Sequence, residues 1–86
     1  MVRDYSKYNE GELVEEREYT QKIAYDASNN PIYVGYATPG TSTSESKWKI
    51  QKITYDASNN PTDVQYPNGD SGFNYVWDKR SDYQYS

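Results

Sequence analysis

Tyr25-Asp26-Ala27-Ser28-Asn29-Asn30-Pro31 returns as Tyr55-Asp56-Ala57-Ser58-Asn59-Asn60-Pro61, thirty residues downstream. The match extends without gaps from residues 21–37 to residues 51–67, with 12 of 17 positions identical. Two copies fall short of a solenoid, which needs about three stacked units to bury a continuous core. They suit one supersecondary unit used twice. Asp, Ser and Asn bond their own backbone or tolerate left-handed conformations, so residues 26–30 read as a turn. Pro31 has a fixed φ and no N–H, which suits the first position of a returning edge strand. The flanks alternate. Ile23 and Tyr25 share a face going in, and Ile32, Val34 and Tyr36 share one coming out; Ile53, Tyr55, Val64 and Tyr66 repeat the pattern. Period-two patterning around a turn cluster marks a β-hairpin.

Working outward, residues 18–37 are expected to form the first hairpin and residues 47–67 the second. Residues 1–12 are polar and read as a flexible N-terminal arm, ahead of a single β domain over residues 13–86. Five Glu and one Arg lie in residues 10–18. They fit a solvated face, a docking strip for a basic partner, or the start of a long strand. Thr38-Pro39-Gly40 opens a Ser/Thr-rich connection, either a plain linker or a contacting loop. In the second hairpin, Trp48 and Ile50 have the opposite parity to Ile53 and Tyr55. A β-bulge near Gln51–Lys52 would bring all four to one side; otherwise both faces are covered there. Asn68-Gly69 is a strong turn signal. Phe73, Tyr75 and Trp77 alternate as a C-terminal strand over residues 73–78, and Tyr83 and Tyr85 alternate after a charged corner. The expected fold is all-β: two tandem hairpins plus this strand, in one antiparallel sheet or a small sandwich.

The two copies also differ in an ordered way. Trp48 and Ile50 stand where the first copy has Glu18 and Thr20, whereas Ile32 and Tyr33 stand where the second has Thr62 and Asp63. The apolar excess falls on opposite strands of the two hairpins, so they are expected to face different neighbours.

Composition narrows the function. Leu, Ile, Val and Phe number 11 of 86 residues, while Tyr alone numbers 11, with 2 Trp. A chain this poor in aliphatics borders on the composition of disordered proteins, but aromatic residues form strands and bury large areas. Such a core is marginal alone. With no Cys to staple the chain and no His or Cys cluster for a structural metal, burial against other chains is the remaining route. An oligomer or a multi-copy component is expected. Tyr19, Tyr33, Tyr36, Trp48, Ile50, Tyr75, Trp77, Tyr83 and Tyr85 are the interface candidates, since Tyr and Trp are enriched at interfaces. A net charge of −4 disfavours nucleic acid as partner. No apolar run is long enough for a membrane span, and no signal peptide is expected.

Catalysis is poorly supported without His or Cys. A carboxylate pair such as Asp56 with Asp78 is the remaining option, and the chain is read as no enzyme. Asp26, Ser28 and Asn30, like Asp56, Ser58 and Asn60, occupy positions 1, 3 and 5 of a calcium loop. The pattern also requires Gly at position 6 and Glu at position 12, where this chain has Pro31 or Pro61 and Ala37 or Pro67. Turns of the Asx type explain these residues without metal, and no cofactor is expected. Exposed Tyr and Trp stack on sugars, so a glycan is a possible partner.

Two resemblances bear on this. Tyr55-Asp56…Asn59-Asn60…Pro67-Asn68-Gly69…Tyr75-Val76-Trp77-Asp78 looks like one YD (Rhs-type) repeat, a unit that works in long arrays. More extensively, residues 32–85 resemble small virion-associated structural proteins of tailed bacteriophages. The resemblance is carried by Gly35-Tyr36-Ala37, Pro39-Gly40-Thr41, Trp48-Lys49-Ile50 with Lys52-Ile53-Thr54-Tyr55, and Trp77-Asp78-Lys79-Arg80-Ser81. Pro67 and Asp82 depart from that pattern. The likeness implies a non-enzymatic capsid decoration or tail, neck or fibre protein. Its partners would be other virion proteins of the capsid, portal or tail. It would be located in the virion after assembly in the host cytoplasm. A receptor- or glycan-binding module of the particle is the alternative.

Overall fold

Each copy of the heptapeptide closes the same hairpin end. In the computed structural model, which describes residues 18–86, the Asn29 N–H donates to the Asp26 carbonyl at 3.0 Å and the Asp26 N–H to the Asn30 carbonyl at 2.9 Å. Asp26 Oδ1 accepts the N–H groups of Ser28 and Asn30 at 2.8 and 2.9 Å. Asp56 repeats all four bonds with Asn59, Asn60 and Ser58. Asn29 and Asn59 both have φ 65°, the left-handed conformation that ends a three-residue hairpin loop and that Asn tolerates. Next to the turn, Tyr25 faces Pro31 while Ala24 faces Tyr33, so Ile32 is the extra residue of a bulge. Thr62 plays the same part between Tyr55–Pro61 and Thr54–Asp63. The prolines therefore lie where the ladder is already interrupted, and their missing N–H costs little.

The chain is all-β, with strands β1 (Thr20–Tyr25), β2 (Pro31–Ala37), β3 (Ser46–Tyr55), β4 (Pro61–Gln65) and β5 (Tyr75–Val76). They form one antiparallel sheet in the order β1-β2-β3-β4, not a sandwich. Strand β5 pairs with Ser46 and Trp48 of β3, prolonging the lane that β4 occupies beside Lys52 to Tyr55. The connection over residues 38–45 starts with a turn in which Gly40, at φ 93°, takes the left-handed position and Thr41 N–H returns to the Thr38 carbonyl.

Of the two arrangements open at Gln51–Lys52, the bulge does not occur: Gln51 faces Val34 and Lys52 faces Tyr33 in continuous register. Trp48 and Ile50 therefore stay on the face opposite Ile53. The expected strand over residues 73–78 shrinks to Tyr75–Val76, followed by a 3-10 segment at Trp77–Asp82. Asp70 is the cause. Its carboxylate accepts from the Gly72 N–H at 2.8 Å, the Tyr75 hydroxyl at 2.8 Å and the Asn74 amide at 3.3 Å. These local bonds compete with a ladder and hold residues 70–75 as a loop. Finally, the Asn68-Gly69 turn forms, with φ 53° and 70°, but it does not join two paired strands; Pro67 bridges to Tyr85 instead. The expected arm at residues 1–12, and most of the Glu-rich strip, lie outside the described residues.

The core lies on one face. Ala37, Trp48, Ile50 and Trp77 are buried, and Ala24, Tyr33, Tyr75, Tyr83 and Tyr85 pack around them. The cover is the C-terminal segment. The Trp77 ring lies 6.0 Å from Trp48, directly over Gly35, where a Cβ would fall 2.5 Å from the indole. Arg80 lies over Trp77 at 4.6 Å and over Tyr33 at 6.0 Å. Polar atoms carried inward find partners, as they must when shielded from water. Trp48 Nε1 donates to the Ser42 carbonyl at 3.0 Å, the Val76 N–H to the Tyr83 hydroxyl at 3.0 Å, and the Tyr85 hydroxyl to the Arg80 carbonyl at 2.7 Å. This arrangement also corrects the expectation that the two hairpins face different neighbours. The excess of Tyr33 on β2 and of Trp48 and Ile50 on β3 falls on the two adjacent central strands, under one C-terminal cover.

Candidate functional site

The nine interface candidates divide by position. Trp48 and Ile50 are 0% exposed and Trp77 is nearly so; they form the chain's own core and offer a partner almost no surface. Tyr33, Tyr75, Tyr83 and Tyr85 are half-buried against that core. Tyr33 meets Tyr85 at 5.8 Å, and Tyr75 meets Tyr83 edge-on at 5.1 Å. Tyr19 and Tyr36 belong to the opposite face. There Tyr19 stacks on Phe73 at 5.3 Å. Phe73 arrives from the loop between β4 and β5 and covers only one end of that face. The two rings border open clefts of about 340 and 260 Å³, lined by Thr38 and Lys47 on one side and by Tyr36, Lys49 and Gln51 on the other.

The rest of this face has no cover among the described residues. Ile23 faces Val34 across β1 and β2, and Ile53 faces Val64 across β3 and β4, a cross-strand apolar set that stabilises a sheet. Ile23 remains 45% exposed and Val64 52%. Tyr25, at the turn end of β1, is 58% exposed, whereas its repeat counterpart Tyr55 is half-buried and donates its hydroxyl to the Pro31 carbonyl at 2.6 Å. The two turns also touch, through a 3.0 Å bond from Asn30 Nδ2 to Asn59 Oδ1. Ile23, Val64 and Tyr25 are not among the nine interface candidates read from the sequence. The signal was present in the thirty-residue offset, because a repeat that packs on its neighbour leaves one unmatched copy at each end.

Two surface carboxylates are engaged locally by hydrogen bonds. The Asp56 carboxylate is held below its ordinary value, first by the Asn60 N–H, against a smaller desolvation effect, and then by the Asn60 amide and the Ser58 N–H. Asp70 is lowered by the Gly72 N–H first, then by Tyr75 and Asn74, and Tyr75 is raised in return, chiefly by its bond to Asp70. Burial raises Tyr85, with Tyr33 and Tyr83 adding to it. Asp56 and Asp78 are not brought together. Asp56 follows the end of β3, whereas Asp78 accepts from the Thr43 hydroxyl at 3.2 Å ahead of its start. Among the described residues no group of three or more His, Cys, Asp or Glu could hold a metal ion, and no helix is long and apolar enough to cross a membrane.

No protein-family model, curated protein or solved structure matches the chain.

Proposed function

We propose that this chain is a non-enzymatic structural component of a bacteriophage particle, acting through protein–protein assembly as a capsid decoration or a tail, neck or fibre protein. The observation that carries the reading is the uneven burial of the sheet. One face is sealed by the chain's own C-terminal segment, while the other leaves Ile23, Tyr25 and Val64 about half exposed, next to the partly covered Tyr19–Phe73 pair. An apolar sheet face on so thin a core is expected to gain from a neighbouring surface. The resemblance of residues 32–85 to virion-associated phage proteins supplies the setting, and the absence of His and Cys from the sequence agrees with an assembly role. The test is fractionation of purified particles, following the chain by mass spectrometry. Recovery with heads supports decoration and recovery with detached tails supports a tail component. Absence from intact particles overturns the proposal.

One observation favours a second reading, a glycan- or receptor-binding module of the particle. The Tyr19–Phe73 stack borders open clefts that also carry Lys47, Lys49 and Gln51, a combination of ring faces and polar groups that suits a sugar. Trp48 and Trp77 are buried elsewhere, so nuclear magnetic resonance shifts of residues around Tyr19 and Phe73 are the suitable readout during titration with host-envelope sugars. Localised shifts support this reading, and a flat response across a broad panel counts against it.

A further inference from the structure

The joint between the two repeats is the best-defined contact surface in the molecule. It consists of the β2–β3 ladder, Tyr33–Lys52 through Tyr36–Lys49. Two side-chain contacts add to it at the turn end: the Tyr55 hydroxyl on the Pro31 carbonyl at 2.6 Å and Asn30 Nδ2 on Asn59 Oδ1 at 3.0 Å. Every group in those two contacts has a counterpart thirty residues away. Tyr25 and Asn29 lie at the outer edge of β1, and Asn60 and Pro61 lie at the outer edge of β4. Among the described residues no strand pairs with either outer edge, and no group accepts from the Tyr25 hydroxyl. The Pro31 carbonyl points away from β1 to reach Tyr55, so the matching Pro61 carbonyl points away from β3, to the outside. Asn60 shows what an unmatched copy does. Its amide folds back onto its own Asp56 at 3.3 Å, whereas that of Asn30 reaches across to the next turn.

We propose that the outer edges of β4 and β1 are the two halves of this same joint, and that a second copy of the chain docks its β1 on β4 in the register of β2 on β3. The proposal rests on the assembly reading above and deepens it by naming partner and surface. Unpaired strand edges are templates for added strands, and the sequence favours this pairing. Shifting the internal register by one repeat sets Asp63 opposite Lys22 of the second copy, and Val64 opposite its Gln21. Lys22 and Asp63 are exposed in the single chain, and opposite charges facing across an antiparallel pair are favourable. At the turn end, the Tyr25 hydroxyl of the second copy meets the Pro61 carbonyl, and the Asn60 amide turns from Asp56 to the second copy's Asn29. The open stretch ends at Gln65, because both backbone groups of Tyr66 are bonded to Ser86. The contact is head-to-tail, so repeated addition builds a ring or a filament rather than a closed two-fold dimer.

The chain contains no cysteine, which makes the register directly testable. Lys22→Cys and Asp63→Cys are prepared as separate full-length variants, checked for wild-type circular dichroism, and oxidised alone and mixed. Facing residues of an antiparallel pair have Cα atoms about 4.5–5.5 Å apart, within the separation of about 4.4–6.8 Å that a disulfide spans. The expected result is a disulfide-linked heterodimer that dominates the mixture and far exceeds the homodimers formed by either variant alone. Sedimentation of the wild type is run alongside. Self-association without the preferred Lys22–Asp63 link overturns the edge joint and leaves the assembly reading standing. A monomer at every concentration, with no cross-link, overturns self-docking, while particle fractionation still decides the virion reading separately.

Discussion

Gly35 is the residue on which the buried face depends. The Trp77 indole can lie flat on the sheet only because β2 offers no side chain beneath it, and a methyl group there would sit 2.5 Å from the ring. Gly35→Ala is expected to destabilise the fold by about 1–3 kcal/mol through overpacking. Urea unfolding followed by Trp fluorescence checks this, and an unchanged midpoint would contradict it. Titratable residues add a pH signature. Asp56 and Asp70 are depressed in the folded state, so their contribution is complete above the unfolded carboxylate value of about 4 and is lost as pH falls through the folded values. Tyr85 is raised, so its contribution is complete below the unfolded value of about 10 and is lost as pH rises toward the folded one. Melting temperature against pH should therefore fall at both ends. The acid fall should be shallower in Asp56→Asn and Asp70→Asn, and the alkaline fall shallower in Tyr85→Phe, than in the wild type.

At the scale of elements, the twin hairpins were legible in the sequence because their determinants are local. Asp at the first turn position, Asn at the left-handed position and Pro at the bulge act within seven residues, and the same bonds appear in both copies. Replacing Asn59 by Val, which resists positive φ, is expected to cost about 1–2 kcal/mol, whereas Asn59→Gly should be tolerated; paired thermal melts read the difference. The C-terminal part was less legible. Its alternation of Phe73, Tyr75 and Trp77 suggests a strand, but Asp70 gathers the preceding loop around its carboxylate. Trp77 is then drawn to Gly35, some forty residues away. No period in the sequence reports such a long-range fit. Nor could patterning separate core from interface among nine aromatic and aliphatic candidates, since both roles select the same residue types. Removing residues 83–86 deletes the Tyr85 and Tyr83 contacts and the Ser86 pairing with Tyr66. The shortened chain should show red-shifted Trp emission as water reaches Trp77 and Trp48; unshifted emission would mean that the 3-10 segment holds the cover unaided.

For the whole molecule, the proposed docking gives the repeated heptapeptide one joint closed inside the chain and the two halves of a second, one at each outer edge. The apolar face of Ile23, Val34, Ile53 and Val64 continues across that joint, so each added copy would lengthen both the ladder and the exposed strip. Self-docking ties stability to concentration, because a partner that binds only the folded chain raises its melting temperature by mass action. The most direct measurement is therefore the thermal melt of the full-length wild type over a wide range of protein concentration, with sedimentation velocity on the same samples. The expected result is a melting temperature that climbs with concentration while the sedimenting species grows. A melt that is independent of concentration, from a species that remains monomeric throughout, would contradict it.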